Sequence, residues 1–158
     1  MKKTYLILMA LCLLLASCGK DSEIQWSRFY GFTAENINGH YNANPDESVY
    51  ETLPTAGVVV YKNVSIDISA SNSAVTMHIV IPNTLDRSFS GSIDLNDDYH
   101  SDLVLYNNSN EDVMLTVYKD KNRTVRLQGR VKHSYYNSNG LLYQSKTYEF
   151  DVIKAAEK

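Results

Sequence analysis

Val64-Ser65-Ile66-Asp67-Ile68-Ser69, the turn Ser71-Asn72-Ser73 and then Val75-Thr76-Met77-His78-Ile79-Val80-Ile81-Pro82 decide the fold. Apolar residues return at every second position on either side of the turn. Successive side chains of a strand point to opposite faces, so this alternation sends one face into a core and the other toward water. Pro82 lacks an N–H for the ladder and ends the second strand. The same period runs outward in both directions. Val58 and Val60 alternate with Val59 and Tyr61, and their phase is predicted to continue through Val64. Downstream, Phe89, Gly91, Ile93 and Leu95 form one inward set, Leu103 and Leu105 a second, and Val113, Leu115 and Val117 a third. Val125, Leu127, Gly129 and Val131 alternate with Arg126, Gln128, Arg130 and Lys132, which is the pattern of a sheet with one wet face.

The turns are polar and short. Asn137-Ser138-Asn139-Gly140 joins segments 123–136 and 141–153, because Asn and Gly accept the positive φ that a tight hairpin needs. Asn107 to Asp112 and Lys119 to Asn122 join further pairs. Beyond the last turn, Leu142, Tyr148, Phe150 and Val152 share a phase with the polar Gln144 and Lys146, which predicts less burial there or a change of face at a bulge. A short helix is expected around Thr33 to Asn38 or in the Lys154 to Lys158 tail. Residues 42–56, with Pro45 and Pro54, read as a long loop. Strands at intervals of about ten residues predict an all-β domain, either a single antiparallel β-barrel or a β-sandwich. Nothing marks a second domain within 24–158.

Lys2 and Lys3 precede the apolar run Leu6 to Leu15, which ends in Leu15-Ala16-Ser17-Cys18. The run is shorter than the roughly 20 apolar residues of a membrane span. A positive start, an apolar middle and small residues at the end are the parts of a removable signal peptide. With Cys18 in place, the segment resembles a bacterial lipoprotein signal ending in a lipobox. That resemblance implies cleavage between Ser17 and Cys18, acylation of Cys18 and anchoring to a membrane through the lipid. It divides the chain into a signal peptide (1–17), a lipidated cysteine with its tether (18–23) and one β-rich domain (24–158). Gly19-Lys20-Asp21-Ser22-Glu23 resembles the acidic export tag of Bacteroidota surface lipoproteins. The expected location is the cell envelope, lipid-anchored to the outer membrane on its periplasmic face or at the cell surface.

A second resemblance rests on Gly39-His40-Tyr41, Lys62-Asn63-Val64-Ser65-Ile66, the Val75 to Pro82 strand and Phe89-Ser90-Gly91-Ser92-Ile93. In this order they look like the small calycin-like or lipocalin-like lipoproteins of Bacteroidota, over residues 37–153. The resemblance implies a barrel. The chain departs from lipocalins at Ile24, where they carry a glycine two residues before the tryptophan, here Trp26.

Composition narrows the function. The formal charge of the 158 residues is −3, and loss of Lys2 and Lys3 makes the remainder more acidic. A mildly acidic surface argues against nucleic acid and against electrostatic docking on anionic lipid. The cysteines are Cys12 and Cys18, so a mature chain with an acylated Cys18 has no disulfide, thiolate metal site or thiol nucleophile. The sequence contains no His-Glu-x-x-His, no Gly-x-Ser-x-Gly and no phosphate-cradling glycine loop. Asp94, Asn96 and Asp98 begin like a calcium loop, but Tyr99 and Leu105 stand where its glycine and closing glutamate belong. That stretch reads as a solvated turn. His40, His78, His100 and His133 show no metal-ligand spacing, and neither a metal nor a cofactor is expected.

A non-catalytic domain that binds a glycan, a small apolar molecule or a protein is therefore predicted. Trp26, His133, Tyr135 and Tyr143 are the candidate contact residues, since aromatic rings stack on apolar sugar faces and His133 continues the inward side of its strand. A carrier with an apolar cavity and a structural subunit assembling through sheet edges are the alternatives.

Overall fold

The computed structural model describes residues 24–43, 49–53, 57–109 and 111–156. In chain order the elements are β1 (Ser27–Arg28), α1 (Ala34–Ile37), β2 (Gly39–Ala43), β3 (Val49–Leu53), β4 (Gly57–Tyr61), β5 (Ser65–Ser71), β6 (Ala74–Ile81), β7 (Leu85–Ser92), β8 (Asp102–Tyr106), β9 (Asp112–Lys119), β10 (Val125–Tyr136) and β11 (Leu142–Lys154).

Eight strands close into an antiparallel barrel in the order β2-β5-β6-β7-β8-β9-β10-β11. β11 returns to β2 through Val152↔Ala43, Ile153↔Asn42 and Lys154↔Tyr41. The period-two pattern is as compatible with a sandwich as with a barrel. This return pairing makes it a barrel, and closure removes the free edges that a sandwich leaves. The seam between β7 and β8 carries the pair Ser90↔Tyr106. At that seam Gly91 lets the strands approach, since a Cβ there would lie 2.7 Å from both the Val104 carbonyl and Leu105 Cδ2.

The inward phases read from sequence are buried: Ile66, Ile68, Val75, Met77, Ile79, Phe89, Leu115 and Leu127 lie within one core. Each such side chain contributes about 1.5–3 kcal/mol by leaving water, so the fold does not depend on a covalent staple. One end of the barrel is covered by the chain itself. Phe29, Phe32 and Ile37 cross it and are buried. α1 helps to place them: Asn36 Oδ1 accepts from the Thr33 amide at 2.8 Å, and the Ile37 carbonyl accepts from the Tyr41 hydroxyl at 2.7 Å. This is the helix end. The opposite end, where β10 turns into β11 and β8 into β9, is the mouth.

The structure corrects three expectations. Residues 42–56 are not one loop: β2 runs to Ala43, and Val49–Leu53 is a strand paired with both β4 and β11. β2 and β3 lie end to end along β11, and β4 and β5 lie end to end against them. The β3–β4 hairpin thus prolongs the barrel wall beyond the mouth. Its signal was masked because Glu51, an inward residue of β3, is polar. The phase of Val58 and Val60 also does not continue into β5. Both are exposed, at 62% and 46%, whereas Val64 is 7% exposed. Asn63, with φ 56°, turns the chain between them and re-aims the following residues. Leu95, read as inward, is exposed as well, because β7 ends at Ser92.

Candidate functional site

At the mouth, polar side chains descend into the barrel. Glu111 lies just before β9 and is 5% exposed. Its Oε1 accepts from the Ser134 amide at 3.0 Å and meets His133 Nδ1. Its Oε2 accepts from Asn107 Nδ2 at 2.6 Å, with Arg87 Nε 3.8 Å away. Burial pushes the Glu111 carboxyl up. The Ser134 amide, the Asn107 amide and the His133 ring together outweigh it and hold the group below the usual carboxylate range.

Aromatic rings carry the network across the mouth. The His133 and Tyr135 rings meet edge to face with centroids 4.4 Å apart. The Tyr135 and Tyr148 hydroxyls are 3.5 Å apart, and the Tyr148 ring meets Tyr61 at 5.7 Å. Tyr61 then donates to Glu51 Oε2 at 2.7 Å, and Lys146 Nζ stands 3.2 Å from Glu51 Oε1. Burial, followed by the hydrogen bond to the Glu51 carboxylate, pushes Tyr61 up to about 12. Burial and the contact with Tyr135 raise Tyr148 as well. Both phenols therefore stay protonated at neutral pH; the Tyr61 proton is held by Glu51, and either of the Tyr135 and Tyr148 hydroxyls can donate to the other. Both carboxylates are held by partners inside the protein. Above this buried layer the partly exposed Tyr61, Tyr135, Arg87 and Lys146 offer ring faces and cations, which suits recognition of a polar ligand. Tyr106, Tyr136 and Leu141 stand exposed on the surrounding rim.

The structure brings His133 and Tyr135 together and sets Trp26 apart. Trp26 lies near the helix end, where Arg126 Cζ is 5.4 Å from its ring centroid. It lines a groove of about 930 Å³ with Ile24, Lys119 and Arg123. The Tyr143 side chain, Ser17 and Cys18 lie outside the described residues. Glu51, Glu111, Arg87, Tyr61 and Lys146 escaped the sequence reading. Lys146 left a trace as a polar residue in an inward phase. In the sequence Glu111 reads as part of the Asn107 to Asp112 turn and Glu51 as part of the 42–56 loop.

The acidic stretch read as a turn caps its own backbone: Asp94 Oδ1 accepts from the Asn96 amide at 3.0 Å and Asp97 Oδ1 from the Tyr99 amide at 2.8 Å. Among the described residues no three His, Cys, Asp or Glu side chains stand converged as a metal cage. No protein-family model, characterised protein or solved structure matches this chain.

Proposed function

We propose that this chain is an envelope lipoprotein, anchored to the outer membrane through lipid on Cys18, whose barrel is a non-catalytic binding domain. The observation that carries the reading is the placement of the mouth. The described chain begins at Ile24 and joins the barrel through β1, which pairs Ser27 with Lys119 at the helix end. A tether of residues 18–23 leading to that end leaves the mouth at the far side of the domain. The mouth, with the partly exposed Tyr61 and Tyr135, is thereby presented away from the bilayer. Two acyl chains suffice for stable anchoring, so no spanning segment is needed.

The ligand class favoured by ring faces beside protonated phenols is a glycan. The core along the barrel axis is occupied by Tyr41, Met77, Phe89 and Tyr148, all fully buried, which favours binding at the rim over carriage inside. Assembly through a sheet edge is a second reading with its own support: Val58, Val59 and Val60 of β4 are exposed, and among the described residues β4 pairs only with β3.

Replacing Cys18 with Ala should leave an uncleaved precursor or a protein released from membranes, read by fractionation and intact mass. A variant still acylated and membrane-bound would overturn the anchor. For the binding domain, a glycan array should give signals that Tyr135→Ala abolishes. Array signals unchanged in that variant would remove the mouth from consideration.

A further inference from the structure

The first described residues run along the helix end of the barrel and build a groove with the turn between β9 and β10. β1 pairs Ser27 with Lys119, and the Ser27 hydroxyl donates to the Lys119 carbonyl at 3.3 Å. The groove, about 930 Å³, is lined by Ile24, Trp26, Lys119, Lys121 and Arg123. The turn is held rigid by Asp120, whose Oδ1 accepts from the Asn122 amide at 2.9 Å and from the Thr124 amide at 2.7 Å. The carboxylate of the turn is thus engaged by its own backbone. Lys119 Nζ stands 4.2 Å from the Phe29 ring centroid and Arg123 Cζ 5.8 Å from the same centroid, so one ring gathers two cations. Among the described residues the lysine and arginine ion pairs engage Arg28, Arg87, Arg126 and Lys146 and leave Lys119, Lys121 and Arg123 out. Three like charges so close in the chain repel one another, and an anion among them relieves that repulsion.

We propose that this groove is the face on which the domain rests against its membrane, with the phosphate of an anionic phospholipid headgroup seated among Lys119, Lys121 and Arg123 and with Trp26 at headgroup depth.

The inference rests on the lipid anchor proposed above and names what the anchored domain touches. The tether fixes the position. Residues 18–23 span at most about 20 Å even when fully extended, so Ile24 and the groove it lines stay close to the acylated residue. The composition of the groove matches the chemistry of that layer. Lysine and arginine are attracted to anionic headgroups, and tryptophan and tyrosine settle where hydrocarbon meets water. Trp26 is partly exposed, and Ile24 and Tyr30 beside it in the chain are exposed.

The charge of the whole chain, −3, argues against electrostatic capture from solution, but it is unevenly spread. Asp94, Asp97 and Asp98 occupy the connection from β7 to β8 at the same end, where Gly31 packs against Asp98. That end therefore has a basic side and an acidic side. Once lipid holds the chain at the membrane, this asymmetry orients the domain: the groove turns toward anionic headgroups and the acidic connection away from them. The effect is local, because salt screens exposed charges beyond about 8 Å.

Trp26 is the only tryptophan of the chain, so its fluorescence reports on this groove alone. The mature acylated protein is reconstituted into vesicles of phosphatidylcholine, with or without phosphatidylglycerol, and with lipids brominated near the headgroup as quenchers. On the anionic vesicles Trp26 emission should shift to the blue and be quenched, and both effects should fade on neutral vesicles or in 1 M salt, where screening acts within about 3 Å. Lys121→Gln should lower the ratio of contacting to detached domains about fivefold. Lys132→Gln, the same charge change in the mouth half of β10, should leave that ratio unchanged. Circular dichroism checks that each variant is folded. A chain that floats with neither kind of vesicle overturns the anchor and this proposal together. A chain that floats with both, but whose Trp26 emission is the same on each, overturns this proposal alone. So does quenching that Lys121→Gln and Lys132→Gln lower equally.

Discussion

Replacing Glu111 with Leu tests whether the polar end of the barrel is held together as described. The change removes an acceptor that serves the Ser134 amide, the Asn107 amide and the His133 ring, and leaves Arg87 without its nearby carboxylate. Glu111 and His133 side chains are 4% and 10% exposed, so water does not readily replace what is lost. Removing one partner of a buried pair costs about 3–5 kcal/mol, because the other partner stays buried and unsatisfied. With a urea slope of about 1–3 kcal/mol/M, the midpoint should fall by roughly 1–5 M. Equilibrium urea unfolding followed by circular dichroism measures this. The double variant Glu111→Leu/His133→Leu sharpens the test. With both members apolar, much of the loss should return, giving a coupling energy well above the roughly 0.3–0.5 kcal/mol scatter of independent sites. A midpoint shift under about 0.5 M, or losses that simply add, would refute the account of a buried, mutually dependent pair.

Acid should destabilise the domain. The Glu111, Asp67 and Asp151 carboxyls are held low in the folded state against the effect of burial, Glu111 as described, Asp67 by its hydrogen bonds with His40 and Ser65, and Asp151 by Arg126 and Gln128. A depressed folded pKa means that the unfolded chain takes up protons first, so the stabilisation is complete above the unfolded carboxyl value near pH 4 and is lost as pH falls through the folded values. A urea midpoint unchanged between pH 7 and pH 3 would contradict this. Gly129→Ala should be severely destabilising, since a Cβ there would sit 2.4 Å from the Met114 carbonyl and 2.7 Å from Phe150 Cζ; a normal melting temperature would show that β9 and β10 are farther apart than described. Val64→Asp should prevent folding, because a lone carboxylate at a 7% exposed position has no partner; a native circular dichroism spectrum would refute that burial.

Much of the wall was legible locally. Val75, Met77, Ile79 and Ile81 are buried as their alternation predicts, and so are Val125, Leu127 and Val131. Gly140 takes a positive φ of 73° in the turn expected to need one, and α1 falls inside the segment expected to hold a short helix. The failures share a cause. β3 was missed because Glu51 turns inward on the strength of Lys146 and Tyr61, partners that come from other strands. The phase error at Val58 and Val60 arose because one left-handed residue, Asn63, cancels a period that looks continuous on paper.

By itself the sequence determined the β class, the inward face of most strands and the hairpin turn, because each of these follows from neighbours within a few residues. Only the tertiary structure decided that β11 returns to β2 and closes a barrel, that His133 is paired with Glu111, and that Trp26 shares a groove with Lys119 and Arg123. The physical reason is that side-chain alternation is set by local sterics, whereas cross-strand neighbours are set by register and closure. Those depend on the whole chain, and spacing along the sequence does not reveal them.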